Sequence, residues 1–280
     1  MRDDDCVALL TWLLPRLGLR WAGFRAVRKQ VCKRIARRLA ELCLSDGREY
    51  RSYLENHPEE WAVADSFCTV TISSFNRDSE VFGFLGRVVL PELATGAAAR
   101  GESELKAWSA GCASGEEPYT LALVWHFLVA TRFPRLDLQV VGTDIDPHLL
   151  ERAKAACYTG GAVKHVPRAW LADAFDEEHG LYRLKAAYKA RISFRSHDLR
   201  HGPVGGSFHL ISCRNVAFTY FGLEQQAAAA WTLCGSLRDG GALVLGRKEK
   251  LPPGTIGFST WSDRHAVYRK AEKHGASPRM

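Results

Sequence analysis

Two glutamates directly behind a glycine turn are the most chemically suggestive feature of this 280-residue chain. Residues 108–120 read Trp-Ser-Ala-Gly-Cys-Ala-Ser-Gly-Glu-Glu-Pro-Tyr-Thr. A short strand over 105–110 runs into a loop holding Gly111 and Gly115, and Glu117-Pro118 then opens a helix. Glycines at a strand-to-helix turn let a ligand approach the backbone closely, and a helix start offers unpaired N–H groups. Such a turn suits phosphate, but Glu116 and Glu117 repel it and favour a cation or a hydroxyl-rich ligand. The loop has neither the Gly-Lys-Ser/Thr of a phosphate loop nor the G-x-G-x-x-G of dinucleotide enzymes. These residues therefore point to S-adenosylmethionine, whose sulfonium and ammonium are both positive.

Three more strand ends carry a polar group. The expected strand over 136–143 ends at Asp144, that over 192–196 at His197-Asp198, and that over 208–212 at Cys213-Arg214-Asn215. In open parallel α/β sheets the ligand sits outside the carboxyl ends of the strands. Asp144 is placed to accept from ribose hydroxyls, Asp198 from the exocyclic amine of adenine, and Asn215 to hold an amino-acid tail. Each alone is ordinary turn chemistry. Four in order behind a glycine turn are much harder to explain that way.

The elements that must position these groups alternate strand and helix after residue 104, the pattern of a parallel α/β sheet. Residues 158–190 break the rhythm and read as an inserted β-subdomain, 258–268 as a final hairpin and 271–280 as a loose tail. Residues 1–94 read as a helical domain, and the small, polar run 95–104 as a linker to an α/β domain over 105–270. The fold class is therefore α/β and Rossmann-like, with a small all-helical N-terminal domain.

The bulk numbers fit a soluble globular protein, with 46% hydrophobic and 25% charged residues. No apolar run is expected to reach the ~20 residues of a membrane span, and the acidic first residues lack a signal-peptide pattern, so the cytoplasm is the expected location. Eight scattered cysteines without a C-x-x-C pair read as free thiols, and neither they nor the ten histidines suggest a metal. The net charge of +7 is uneven: residues 20–38 hold eight basic side chains and no acid. Phe24, Val27, Val31, Ile35, Leu39 and Leu42 form one apolar stripe there, with Arg25, Lys29, Lys33 and Arg37 opposite. A row of like charges repels itself, so contact with an acidic partner is a functional reason for it.

Residues 108–120, Thr143-Asp144-Ile145-Asp146-Pro147, and Cys213-Arg214-Asn215-Val216 with Tyr220-Phe221 together resemble the CheR family. These are S-adenosylmethionine-dependent methyltransferases that modify glutamates of chemoreceptors, and the similarity runs over nearly the whole chain. The resemblance implies that Gly111 and Glu117 bind the cofactor, the latter at its methionine moiety, and Asp144 at its ribose. It places Asp198 and Leu199 at the adenine and Asn215 and Val216 on the cofactor's far side. Thr71, Ser73 and Arg77 would close over the cofactor, with Arg77 and Tyr220 as the catalytic candidates. The basic helix matches the receptor-facing helix, and 158–190 the β-subdomain that in some members grips a receptor's C-terminal peptide. Departures from the family pattern are Asn76 for an aromatic, Asp198 for Asn, an extra residue at Ala217-Phe218-Thr219, and Arg247-Lys248 for His-Ser.

A glutamate with pKa near ~4.3 is already ionised, so methyl transfer to it needs no general base. Arg77 is accordingly read as gripping the cofactor carboxylate or positioning the acceptor. Two other functions compete: a nucleic-acid methyltransferase using the basic helix, and a non-catalytic cofactor-binding module. The chain lacks the Asn/Asp-Pro-Pro-Tyr and Pro-Cys motifs of nucleic-acid methyltransferases.

Overall fold

The computed structural model describes residues 2–272, and the tail expected over 271–280 lies almost wholly outside them. The chain forms two compact units, residues 2–72 with Thr219–Gln226, and Ser73–Phe218 with 227–272.

The first unit is helical: α1 (Asp3–Arg16), α2 (Trp21–Phe24), α3 (Arg28–Glu41), α4 (Gly47–Asn56) and α5 (Glu60–Phe67). Leu9, Leu10, Leu13 and Leu14 of α1 and Val31, Ile35 and Leu39 of α3 are fully or nearly buried. These fall at three- and four-residue spacing, which puts them on one face of each helix. The expected single basic helix is in fact two, because residues 25–27 form a turn; Phe24 is buried on α2, while Val27 and Leu42 are half-exposed. Asp46 caps α4 by accepting from the Arg48 and Glu49 N–H groups. Glu60 is buried and accepts a two-pronged bond from Arg38 at 2.9 and 2.7 Å and one from Tyr50 at 2.8 Å. That guanidinium holds the Glu60 carboxyl below the usual range against the opposing effect of burial.

Cys6 of α1 and Cys32 of α3 form a disulfide, with Cα atoms 5.9 Å apart, which corrects the expectation that all eight cysteines are free. The pair lies 26 residues apart with no spacing signature. Helix packing, and nothing in the local sequence, brings the two side chains together.

The second unit holds a seven-stranded sheet of order β6-β2-β1-β7-β8-β10-β9. Its strands are β1 (Glu104–Ala110), β2 (Asp137–Asp144), β6 (Ile192–Ser196), β7 (Phe208–Cys213), β8 (Leu237–Leu245), β9 (Phe258–Ser262) and β10 (Val267–Lys270). Pairings from β6 to β8 are parallel, and β10 is antiparallel to both neighbours. β7 is buried along its whole length, as expected of a strand covered on both faces. Helices of this unit run over Glu116–Leu128 and Pro147–Ala155, and β3 (Cys157–Thr159), β4 (Phe175–Glu178) and β5 (Leu181–Leu184) form a separate sheet of order β3-β5-β4, largely within the span 158–190 read as a β-subdomain.

The expected linker at 95–104 is not one. A continuous helix runs over Ser79–Ala99, with a wider turn at Leu85–Val89, and the chain divides at Ile72 and Ser73 instead. Ala94 and Ala97 are fully buried with Leu85 and Val89 in the core shared with Leu105, Ala107, Leu138 and Val140. Small residues read as a spacer in sequence, but alanine is the strongest helix former and fits against a sheet. By length and composition this 21-residue helix alone among the described helices meets the requirement for a membrane span, contrary to expectation. More than half of it is buried against the sheet, as in a core helix.

Candidate functional site

The carboxyl ends of β1, β2 and β7 converge, and each supplies part of one cluster. After β1 the Gly111 and Cys112 N–H groups both donate to the Thr143 carbonyl at 2.8 Å, folding the glycine turn over the end of β2. Gly111 has φ +73°, and a Cβ there would stand 2.4 Å from Val216 Cγ2. Only glycine fits this close approach of two loops. The Asp144 carboxylate clasps the turn, with Oδ2 accepting from the Ala113 N–H at 2.8 Å and Oδ1 from the Asp146 N–H at 3.0 Å. Burial pushes its pKa up, and these backbone donors only partly oppose that. A carboxylate has about four acceptor sites, so room is left on Asp144 for a hydroxyl donor.

The two glutamates of the turn divide their work. Glu116 is buried and accepts from Ser114 Oγ at 2.9 and 3.0 Å, holding the loop. Glu117 accepts from Ser109 Oγ at 2.8 Å through Oε1 and from Arg214 at 3.1 Å through Oε2. Among the described residues three buried side-chain polar atoms lack a hydrogen-bond partner, and two of them, Ser212 Oγ and Arg214 Nε, lie at the end of β7 beside this cluster. Buried polar atoms without partners are uncommon in native proteins. Their concentration here, with two acids and a glycine cradle, fits a polar, partly cationic ligand.

Beyond β7, Asn215 has φ +57° and donates its N–H to Glu249 at 2.7 Å. The same carboxylate oxygen accepts from the Gly246 N–H at 2.7 Å, so Glu249 joins the ends of β7 and β8. At the end of β6 Asp198 caps a short turn and pairs with Arg200 at 2.8 Å. Burial acts to raise its pKa, but the Arg200 side chain and N–H outweigh burial and the net shift is downward. Leu199 beside it is buried.

Ser73 and Arg77 belong to the same unit as the strand ends. Phe75 between them is fully buried, edge-on to Tyr158 and Phe175. Asn76 replaces the family aromatic but is well held: its N–H donates to Thr120 Oγ1 at 3.0 Å and its Nδ2 to the His165 carbonyl at 2.9 Å. Thr71 and Tyr220 fall in the helical unit. Thr71 is exposed, and Tyr220 lies against Phe24 with its carbonyl accepting from the Arg20 N–H at 2.9 Å.

The structure thus brings together Gly111, Glu117, Asp144, Asn215 and Val216. It adds Arg214, Glu249, Ser109 and Ser212, which sequence reasoning missed. Arg214 stood inside a recognised motif, and a cation beside a strand-end acid was the available signal.

A family model described as CheR methyltransferase, SAM binding domain, matches residues 71–267. A chemotaxis protein methyltransferase of Listeria monocytogenes is 36% identical over 196 residues, 70% of this chain and 71% of that protein. That of Escherichia coli is 29% identical over 86% of this chain and 89% of its own length. A 104.1 kDa protein encoded 3′ of hypE in Rhodobacter capsulatus is 32% identical over 89% of this chain, which spans only 26% of that relative. Among solved structures, magnesium protoporphyrin IX methyltransferase from Synechocystis, with bound SAM, covers 73% of this chain at 15% identity and a TM-score of 0.36. The fold assignment rests on the strand order and the family match.

Proposed function

The chain belongs to the CheR methyltransferase family, and from that premise we propose that it transfers a methyl group from S-adenosylmethionine to glutamate side chains on an acidic helical segment of a chemoreceptor-like protein. The observation that carries the acceptor half is the row Arg25, Lys29, Lys33 and Arg37, all exposed. Arg28, Arg34 and Arg38 of the same segment are engaged by Asp3, by main-chain carbonyls at 67 and 69, and by Glu60. Arg25, Lys29 and Lys33 have no ion-pair partner among the described residues. Arg37 pairs with Glu41 at 3.7 Å, so Arg25 in the turn and Lys29 and Lys33 on α3 are the exposed cations left to steer an acidic partner.

Bound S-adenosylmethionine supplies a methyl on a positively charged sulfur. Glu117 would bind its methionine moiety and Asp144 its ribose hydroxyls. Asp198 and Leu199 would flank the adenine, and Asn215 and Val216 the far side. Arg77 would grip the cofactor carboxylate or position the acceptor without binding the attacking oxygen tightly, because a cation there would blunt it. Ser73 would close over the cofactor, as the resemblance implies. Opposite charges cancel as the methyl moves, so the residues contribute chiefly alignment and exclusion of water, alignment being worth on the order of 7–11 kcal/mol. The reading places the chain in the cytoplasm.

Incubating the chain with cofactor and an acidic receptor helix, then mapping peptides by mass spectrometry, tests this. One methyl mass on glutamate, lost in mild base, is expected. Methyl on nucleic acid, or on neither, contradicts it.

A further inference from the structure

Arg214 has no part in the roles above, yet its burial demands one. Its side chain is 3% exposed, and a charge so placed is tolerated only when paired and hydrogen-bonded. Its pairing is divided between distant parts of the chain. Nη1 donates to Glu117 Oε2 at 3.1 Å, while Nη2 donates to Asp78 Oδ2 at 2.6 Å and to the Arg77 carbonyl at 3.1 Å. The Phe82 ring lies 5.0 Å from the guanidinium carbon. A planar fork with fixed donors reaches both sides at once; an ammonium does not.

The far side of that fork is a left-handed turn. Asn76 and Asp78 flank Arg77 with φ of +52° and +59°, a region that Asn and Asp enter more readily than other side chains but that is uncommon even for them. Neighbouring contacts help to hold such a conformation. The bonds from Arg214 to the Arg77 carbonyl and the Asp78 carboxylate supply that hold, beside the Asn76 contacts already described.

We propose that Arg214 is a positioning residue that makes Glu117 and the Arg77 turn a single unit. It fixes the carboxylate that meets the cofactor's methionine end, and it sets the backbone from which Arg77 projects. This rests on the reading that Glu117 and Arg77 hold the cofactor. Asp78 then acts on cofactor binding at a distance, through Arg214, although it is given no contact with the ligand.

The test is a double-mutant cycle of Arg214→Lys and Asp78→Asn, with S-adenosylmethionine affinity measured by calorimetry at a temperature where circular dichroism shows each variant folded. Arg214→Lys should weaken binding by on the order of tenfold, and Asp78→Asn by a few-fold. Their effects should not add, since both open the same fork. In turnover the KM for the cofactor should rise more than kcat falls. Unchanged affinity in folded Asp78→Asn, or strictly additive losses, overturns the proposal; if Arg214→Lys fails to fold, Asp78→Asn alone decides. Failure of the wild-type chain to bind the cofactor would instead overturn the site reading beneath it.

Discussion

At the residue scale, two positions carry most of the cofactor argument. Gly111 has no room for a methyl group and sits at positive φ, so Gly111→Ala should cost on the order of 1–3 kcal/mol of stability and abolish cofactor binding. Denaturant unfolding and calorimetry read the two effects separately, and native-like affinity would show that the glycine turn does not approach the ligand. Asp144 makes a sign-specific prediction. Burial raises its pKa, so on acidification it takes up a proton at higher pH than an ordinary aspartate of about 3.9. A protonated carboxyl is a poorer acceptor for ribose hydroxyls. Cofactor affinity should therefore rise with pH through that raised value and be lost below it. Asp144→Asn should bind weakly and show no such step. An affinity flat down to the ordinary aspartate range would contradict the role. Both residues were legible in sequence because local pattern marks a strand end and a glycine turn. Arg214 was not, because its partners lie far along the chain: Glu117 and Asp78 are 97 and 136 residues away.

At the scale of elements, alternation and periodicity located β1, β2, β6 and β7 to within one residue and the closing hairpin at 258–268, whereas the insertion was legible only as a β-subdomain over 158–190 and not strand by strand. They failed where composition and burial disagree. The run from Ala94 looked like a spacer because alanine and glycine carry no periodic contrast, yet Ala94 and Ala97 are core residues of a helix ending at Ala99. Likewise no spacing rule ties Cys6 to Cys32 across two helices. Closing a 26-residue separation restricts the unfolded chain, so breaking the link should lower the stability of the helical unit by about 3 kcal/mol. Unfolding followed with and without reductant should show this difference in the wild type and none in the Cys6→Ser/Cys32→Ser variant. Equal stability in both redox states would mean that α1 and α3 are held by packing alone.

At the scale of the whole molecule, the charge of +7 is gathered on one segment while the strand ends carry acids. That division suits an enzyme whose cofactor is cationic and whose acceptor is acidic. Replacing Arg25, Lys29 and Lys33 with Gln should raise the KM for an acidic protein acceptor at least several-fold, more at low salt than at high, while leaving cofactor affinity unchanged. Equal loss of cofactor affinity would show that the row serves the fold instead.

A glutamate methyltransferase is defined by the chemical nature of the bond it makes. The chain should be incubated with methyl-labelled S-adenosylmethionine and membranes bearing chemoreceptors, and the washed product treated with alkali. Label should be released as volatile methanol, as a carboxyl methyl ester requires, and Glu117→Gln should reduce it in step with cofactor affinity. Label that enters the product but resists alkali would place the methyl on nitrogen, carbon or nucleic acid and contradict the central claim.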